Sequence, residues 1–463
     1  MYSFKDLSLA LNRILRFFSV GILTILVICL VSTVIVALLP FDERKGIEFW
    51  VITSKPLRVY EKLISGWNEE HPEKPFVMRS LNNSAMERRM LAGFLSGVPM
   101  ADILEPNDGL YPKAFLGPVE QVGFLDLTGR LHAEGLYAQF NEPSFAQMTS
   151  RGRIFGLPHD VHPVLLGYRA DLVEAAGIDV SEIETWDDYF RVMRPLMVDL
   201  DGDGRPDRYL LNISELAMHD IVVLLLQNDG QIFDEDDVPV FASERNAWTL
   251  AKIITWVAGP DRVAVEVSRE SAGHRQHLEG YMVGSLLPDW LFGAWKNENP
   301  QLAGKLKLMP LPAFEKGGRR TSVRGGTMIG INKRSAYIEE CWEVAKRLYT
   351  SAEIAETRWR EETIISPYKA HWAEPFYHEP DPFCGGQRTG TLYIEQAPYL
   401  PIRPSSPYTD NAKAAISAAA IALRAYAERH EVYDADTLAP EALRLLQHEQ
   451  DTLKRLISRN VLY

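Results

Sequence analysis

Cysteine is scarce: the 463 residues contain three, Cys29, Cys341 and Cys384. That count excludes a small fold stapled by a disulfide framework. Basic side chains are also in deficit, with 49 Lys and Arg against 62 Asp and Glu and a formal net charge of -13. Nucleic acid, whose phosphates need a basic surface, is not an expected partner. The chain has no H-E-x-x-H, no G-x-S-x-G and no G-x-x-x-x-G-K, so zinc-protease, serine-hydrolase and phosphate-loop chemistry lack support. Carboxylates are plentiful, which leaves a glycosidase pair open on sequence alone. There is no internal repeat and no low-complexity tract.

What is present begins with an apolar run. Residues 17–39 carry no charge, and as a helix they extend about 35 Å, enough for a hydrocarbon layer of about 30 Å. Lys5, Arg13 and Arg16 precede the run, while Asp42, Glu43, Arg44 and Lys45 cancel after it. The expectation is a cytoplasmic segment 1–16, an uncleaved transmembrane anchor 17–39 and a large extracytoplasmic domain. A cleaved signal peptide is the competing reading, and the run is longer than its usual apolar core.

The rest of the chain is too long for one ordinary core, so two lobes are expected. Ile47 to Thr53 reads as a buried strand, and a helix opening near Pro56 places Leu57, Tyr60, Ile64 and Trp67 on one face. Phe76 to Arg79 is the next strand; Ser84 with Glu87 suggests a capping box for a helix ended by Gly97. This alternation predicts α/β architecture with a mostly parallel sheet. Arg153 to Leu157 and Val164 to Tyr168 read as strands flanking a polar turn, and Thr185 as the cap of a following helix. Cys341 shares helical spacing with Ile338, Trp342, Ala345 and Leu348 and reads as core, although a bridge to Cys384 stays open.

The order of these signals resembles the sugar-type extracellular solute-binding proteins of ATP-binding-cassette importers, the maltose-binding-protein-like group. The resemblance is carried by FWVITS, by SGWNEEHPEKPFVMRS, by LSGVPMADILEPN and by the run RGRIFGLP, LLGYRADLVEAAGI and TWDDYF. It continues through YMVGSLLPDWLFGAW, LMPLPAF, VRGGTMIGINKRS and the carboxy-terminal PIRPSSP and PEALRLLQHEQDTL. Arg169 replaces a usual Asn, and Pro288-Asp289-Trp290 replaces Gly-Pro-Trp, so the ligand class is less determined than the fold.

The resemblance implies a two-lobe periplasmic-binding-protein-like fold of type II, each lobe a mixed sheet flanked by helices. Lobe one would be 47–158 and 322–366, and lobe two 159–321 and 367–463. It also implies a carbohydrate ligand and permease subunits as partners, with no catalysis. A pyranose offers an apolar face to an aromatic ring and a rim of hydroxyls to carboxylates, amides and arginines. In the interlobe loops this chemistry falls to Thr53, Ser54, Asn82, Asn83, Asp108, His159, Asp160, Asp289, Trp290, Arg324, Gly325 and Gly326, with Tyr368, Trp372 and Tyr408 as further stacking candidates. Trp290 could equally be lobe core, and Asp160 a turn cap. His159 and His162 have an odd separation, which on a strand puts them on opposite faces and argues against a metal pair.

DLDGDGRPD places Asp199, Asp201, Asp203 and Asp207 at positions one, three, five and nine of a calcium-type loop, with Gly204 at six. Position twelve is Leu210 instead of Glu, so a structural Ca²⁺ is one reading and a bare Asp/Gly turn the other; no cofactor is required. Alternatives to sugar capture are an acidic or phosphorylated solute, suggested by Arg169, Arg319, Arg320 and Arg324, a ligand-sensing ectodomain, or an anchored glycan-degrading enzyme.

Overall fold

The computed structural model describes residues 19–38, 46–268 and 271–460, and the chain divides into two compact units, 1–46 and 47–463. In the first, Val20–Leu38 is a 19-residue helix without a charged residue; Ile22, Ile25, Leu30 and Ile35 are exposed. Counted over the described side chains alone, no helix is long and apolar enough to cross a membrane. Within the expected run 17–39, Val20–Leu38 is helical but the expected transmembrane anchor is not supported, and the expected cytoplasmic segment 1–16 lies outside the described residues.

The second unit contains two five-stranded sheets. In one, the spatial order is Phe76–Ser80, Ile47–Val51, Ile103–Glu105, Met328–Ile331, Leu157–Pro158. The first three are parallel and the last two run antiparallel to their neighbours. In the other, the order is Leu306–Pro310, Val164–Arg169, Met282–Pro288, Tyr209–Asn212, Ala264–Val265, with two antiparallel pairings followed by two parallel ones. The mostly parallel sheet inferred from strand-helix alternation is therefore corrected to two mixed sheets. The alternation is real at each start, but strands that enter a sheet from a crossing segment arrive in the opposite sense.

Each sheet has its own apolar core. One draws on residues within 47–157 and 328–354, the other on residues within 161–323 and 355–453. Helix Lys55–Glu70 buries Tyr60, Ile64 and Trp67 as its period requires. Helix Asn83–Ser96 buries Met86, Met90 and Phe94, but its cap is Asn82, whose side chain accepts from Ala85 N; the expected Ser84 lies inside the helix. Thr185 does cap Trp186–Met193, in a reciprocal box with Asp188. The expected strand 153–157 is broken: Arg153–Ile154 pairs with Thr149–Ser150, whereas Leu157–Pro158 joins the first sheet.

Cys341 and Cys384 are both buried and free, one in each core, so the bridge left open by the sequence is not formed. Three segments carry the chain between the two sheets, near 159–163, 322–327 and 363–367. Helix Asp289–Glu298 packs against the third. Gly293 lies so close to Glu362 O that a Cβ would fall 2.2 Å from it.

Candidate functional site

A cleft of about 600 Å³ lies where these crossings meet, within the range of small-molecule sites. Of the residues expected at a ligand site, Thr53, Ser54, Asp108, His159, Asp160, Trp290, Arg324, Gly325 and Gly326 line it. Thr53 and Ser54 are exposed at the mouth, just before helix Lys55–Glu70. Asn82 and Asn83 are not among the lining residues; Asn82 is spent on its helix cap. Tyr368 packs on Phe140 and donates to Gln139, Trp372 donates to Ser366 O, and Tyr408 is buried and accepts from Asn460. None of these three lines the cleft.

Asp289 lies just behind the lining, fully buried. Its Oδ1 accepts from His162 Nδ1 at 2.6 Å and from Trp290 N at 2.7 Å, and its Oδ2 accepts from Ile365 N at 3.0 Å. The other ring nitrogen of His162 lies 3.0 Å from Asp160 Oδ2. That same oxygen accepts from His159 Nδ1 and from Thr327 N. Burial alone would lower the His162 pKa, but the Asp160 and Asp289 carboxylates outweigh it and hold the group up at about 10. His159 goes the other way: burial, then the Arg358 guanidinium, pushes it down to about 4. Burial opposes ionisation of Asp160 too, yet the two imidazoles keep it well below the usual carboxylate range.

The strand geometry assumed in arguing against a His159–His162 metal pair is not the observed one. Residues 159–162 are not a strand, and His162 has φ of 55°. The chain turns there, and both rings reach Asp160. A left-handed, non-glycine residue in a cleft wall is a conformation that proteins keep only where surrounding contacts over-determine it.

Sequence reasoning missed Glu105, His162, His219 and Glu362, which also line the cleft. Glu105 was findable as the acid that ends an otherwise apolar strand, a buried position that perturbs a carboxylate. It accepts from Tyr60 Oη at 2.9 Å and Tyr349 Oη at 3.2 Å, and Arg358 donates to Tyr60 Oη and His159 O at 2.8 Å each. Trp290 is half-buried; its indole N donates to Arg324 O at 3.0 Å, and the Arg324 guanidinium lies 6.0 Å from the ring centre. The arginines that suggested an acidic ligand are engaged elsewhere. Arg324 pairs with Asp220, Arg319 with Asp229, Arg169 bidentately with Asp171, and Arg320 donates to Leu311 O and Ile183 O. The cleft offers one indole and several carboxylates beside three histidines, Lys55 and the Asp220-paired Arg324, polar groups that suit hydroxyls.

Away from the cleft, Asp199, Asp201 and Asp207 bring carboxylate oxygens within 4.8 Å of one another; Asp203 is not in the group. Asp199 accepts from Gly202 N and Gly204 N, and Asp207 from Leu200 N. Among the described residues this is the one such acidic group.

The family model described as bacterial extracellular solute-binding protein matches residues 54–354. An arabinooligosaccharide-binding protein of Halalkalibacterium halodurans is 23% identical over 346 residues, 72% of this chain and 74% of the relative. A lactose-binding protein of Rhizobium radiobacter is 22% identical over 366 residues, 76% of this chain and 82% of the relative. The sugar-binding protein MalE from Xanthomonas citri superposes with a TM-score of 0.70 at 16% identity, covering 90% of this chain and 100% of that one.

Glu105 yields a pH prediction. Burial raises its pKa from the ordinary 4.5 to about 7, against the lowering effects of Arg358 and the two tyrosines. The unfolded chain therefore gives up this proton first, so the Glu105 contribution to stability is intact below about pH 4.5 and is lost as pH rises to about 7. In Glu105→Gln this part of the pH dependence vanishes. Thermal midpoints of both proteins between pH 4 and 8 check it: parallel profiles would show that Glu105 is not perturbed.

Proposed function

We propose, from the premise that the chain belongs to the bacterial extracellular solute-binding protein family, that it captures a neutral oligosaccharide in the interlobe cleft and delivers it to an ATP-binding-cassette permease. The observation that carries this reading is the cleft itself: Trp290 at its wall, carboxylates around it, and arginines tied to other partners. Binding to both lobes favours the closed arrangement, and no covalent step is involved. The relatives' ligands, arabinooligosaccharide and lactose, make arabino-oligosaccharides and lactose the first probes. An acidic solute is the weaker reading, because each arginine that suggested it is engaged.

A bound sugar raises the thermal midpoint by mass action, and Trp290→Ala weakens binding by about 2 kcal/mol, roughly 30-fold, as expected for a buried aromatic anchor. Thermal shift followed by calorimetric titration measures both. A broad set of mono- and oligosaccharides without any shift would end the carbohydrate reading, and unchanged affinity in Trp290→Ala would remove the indole from the site. Turnover of a bound glycan would turn the assignment to an enzyme.

The charge-free run 17–39, preceded by Lys5, Arg13 and Arg16, supports a single-pass tether that leaves the binding unit outside the cytoplasm. The full chain then stays in the membrane pellet after alkaline carbonate extraction; release into the supernatant refutes the tether. Asp199, Asp201 and Asp207 would supply hard oxygen ligands to a structural Ca²⁺. Millimolar Ca²⁺ should raise the thermal midpoint of the wild type and leave that of Asp199→Asn in place; equal shifts, or none, count against the site.

A further inference from the structure

The cleft wall depends on one side chain that does not belong to a sheet or a helix. His162 presents each ring nitrogen to a carboxylate, Nδ1 to Asp289 and Nε2 to Asp160. A neutral imidazole has one N–H and would aim a lone pair at one of those oxygens. With Nδ1 2.6 Å from one carboxylate and Nε2 3.0 Å from the other, each ring nitrogen has an anionic partner, the arrangement an imidazolium satisfies. The two carboxylates belong to different parts of the wall. Asp160 holds the first crossing to the second through Thr327 N, and Asp289 holds the start of helix Asp289–Glu298 to the third through Ile365 N. Asp289 also accepts from the backbone of Trp290, whose indole N is fixed on Arg324 O; Arg324 N in turn faces His162 O at 3.4 Å. Gly325 closes the arrangement: its φ is +99°, and a Cβ there would lie 2.9 Å from His162 Cδ2 and 3.1 Å from Trp290 Nε1.

We propose that His162, as an imidazolium bridging Asp160 and Asp289, is the positioning residue of the cleft, holding the three crossings together and setting the orientation of Trp290. This rests on the reading of the cleft as the ligand site; the protonation of the ring does not. His162 acts through Trp290 and through the crossings, so it needs no contact with a ligand of its own. The other charged groups facing it are His159, which shares Asp160 and is held neutral, and Arg324 with its partner Asp220.

The test uses the full-length chain selectively labelled with ¹⁵N-histidine. Solid-state spectra of wild type and His162→Gln, taken by difference, give the His162 signals alone. The expected result is two protonated ring nitrogens that persist from pH 5.5 to 8.5; loss of one proton near neutrality overturns the proposal whatever the ligand proves to be. Affinity for an arabino-oligosaccharide or lactose is then measured in wild type, His162→Gln, Trp290→Ala and the double variant. His162→Gln should bind at least tenfold more weakly, and the double variant no more than about threefold more weakly than Trp290→Ala, because both changes remove one platform. Additive losses would overturn positioning through Trp290. Asp289→Asn in the His162→Gln background should recover part of the affinity by removing the unmatched carboxylate, and no recovery counts against the bridge. If no sugar binds any of the proteins, the carbohydrate reading fails, while the ring spectra still decide the charge at His162.

Discussion

Two carboxylates share one buried imidazole at the point where the chain passes between its two sheets, and much of the cleft geometry follows from that. Removing charges from water is expensive, and a buried pair is favourable only when its geometry is good and its remaining hydrogen-bonding capacity is used. Here both conditions are met. Asp160 Oδ2 accepts from His159 and a backbone amide and lies 3.0 Å from His162 Nε2, and both Asp289 oxygens have donors. The left-handed backbone of His162 and the side-chain-free Gly325 are what this arrangement requires of the chain. Beneath it, Arg358, Tyr60, Tyr349 and Glu105 form a second layer of buried polar contacts.

This design suits a hinged clamp better than a rigid pocket. Each sheet has its own core, so the two halves are stiff, and the polar groups are concentrated in the short segments between them. A ligand that touches both lobes needs only to favour one arrangement of the two bodies.

The fold was largely legible in the sequence because its signals are local. Helix faces such as Tyr60-Ile64-Trp67, the Thr185 cap and the apolar strand at Val164 follow from period and capping alone, and their order carries the family resemblance. Strand direction was not legible, since it depends on how the chain re-enters a sheet after a crossing. The site was half legible for the same reason. Asp160 and Gly325 stand in loops and Trp290 opens a helix, each within a motif that has a local signature. His162 was not singled out for the site because a strand was assumed where the backbone turns, and Glu105 was passed over because its environment is made by Tyr60, Tyr349 and Arg358, which are distant in sequence. Tyr368, Trp372 and Tyr408 looked like platforms by composition, but their polar tips bond Gln139, Ser366 and Asn460 away from the cleft.

A solute that touches both lobes should draw them together around this hinge. Interlobe distance measures it most directly: spin labels at Leu95→Cys and Leu216→Cys, both exposed positions, in a Cys29→Ser background, read by electron double resonance with and without saturating oligosaccharide. The account predicts a shift of the distance distribution to shorter values when sugar binds. A distribution that stays the same while calorimetry shows the site filled would contradict it.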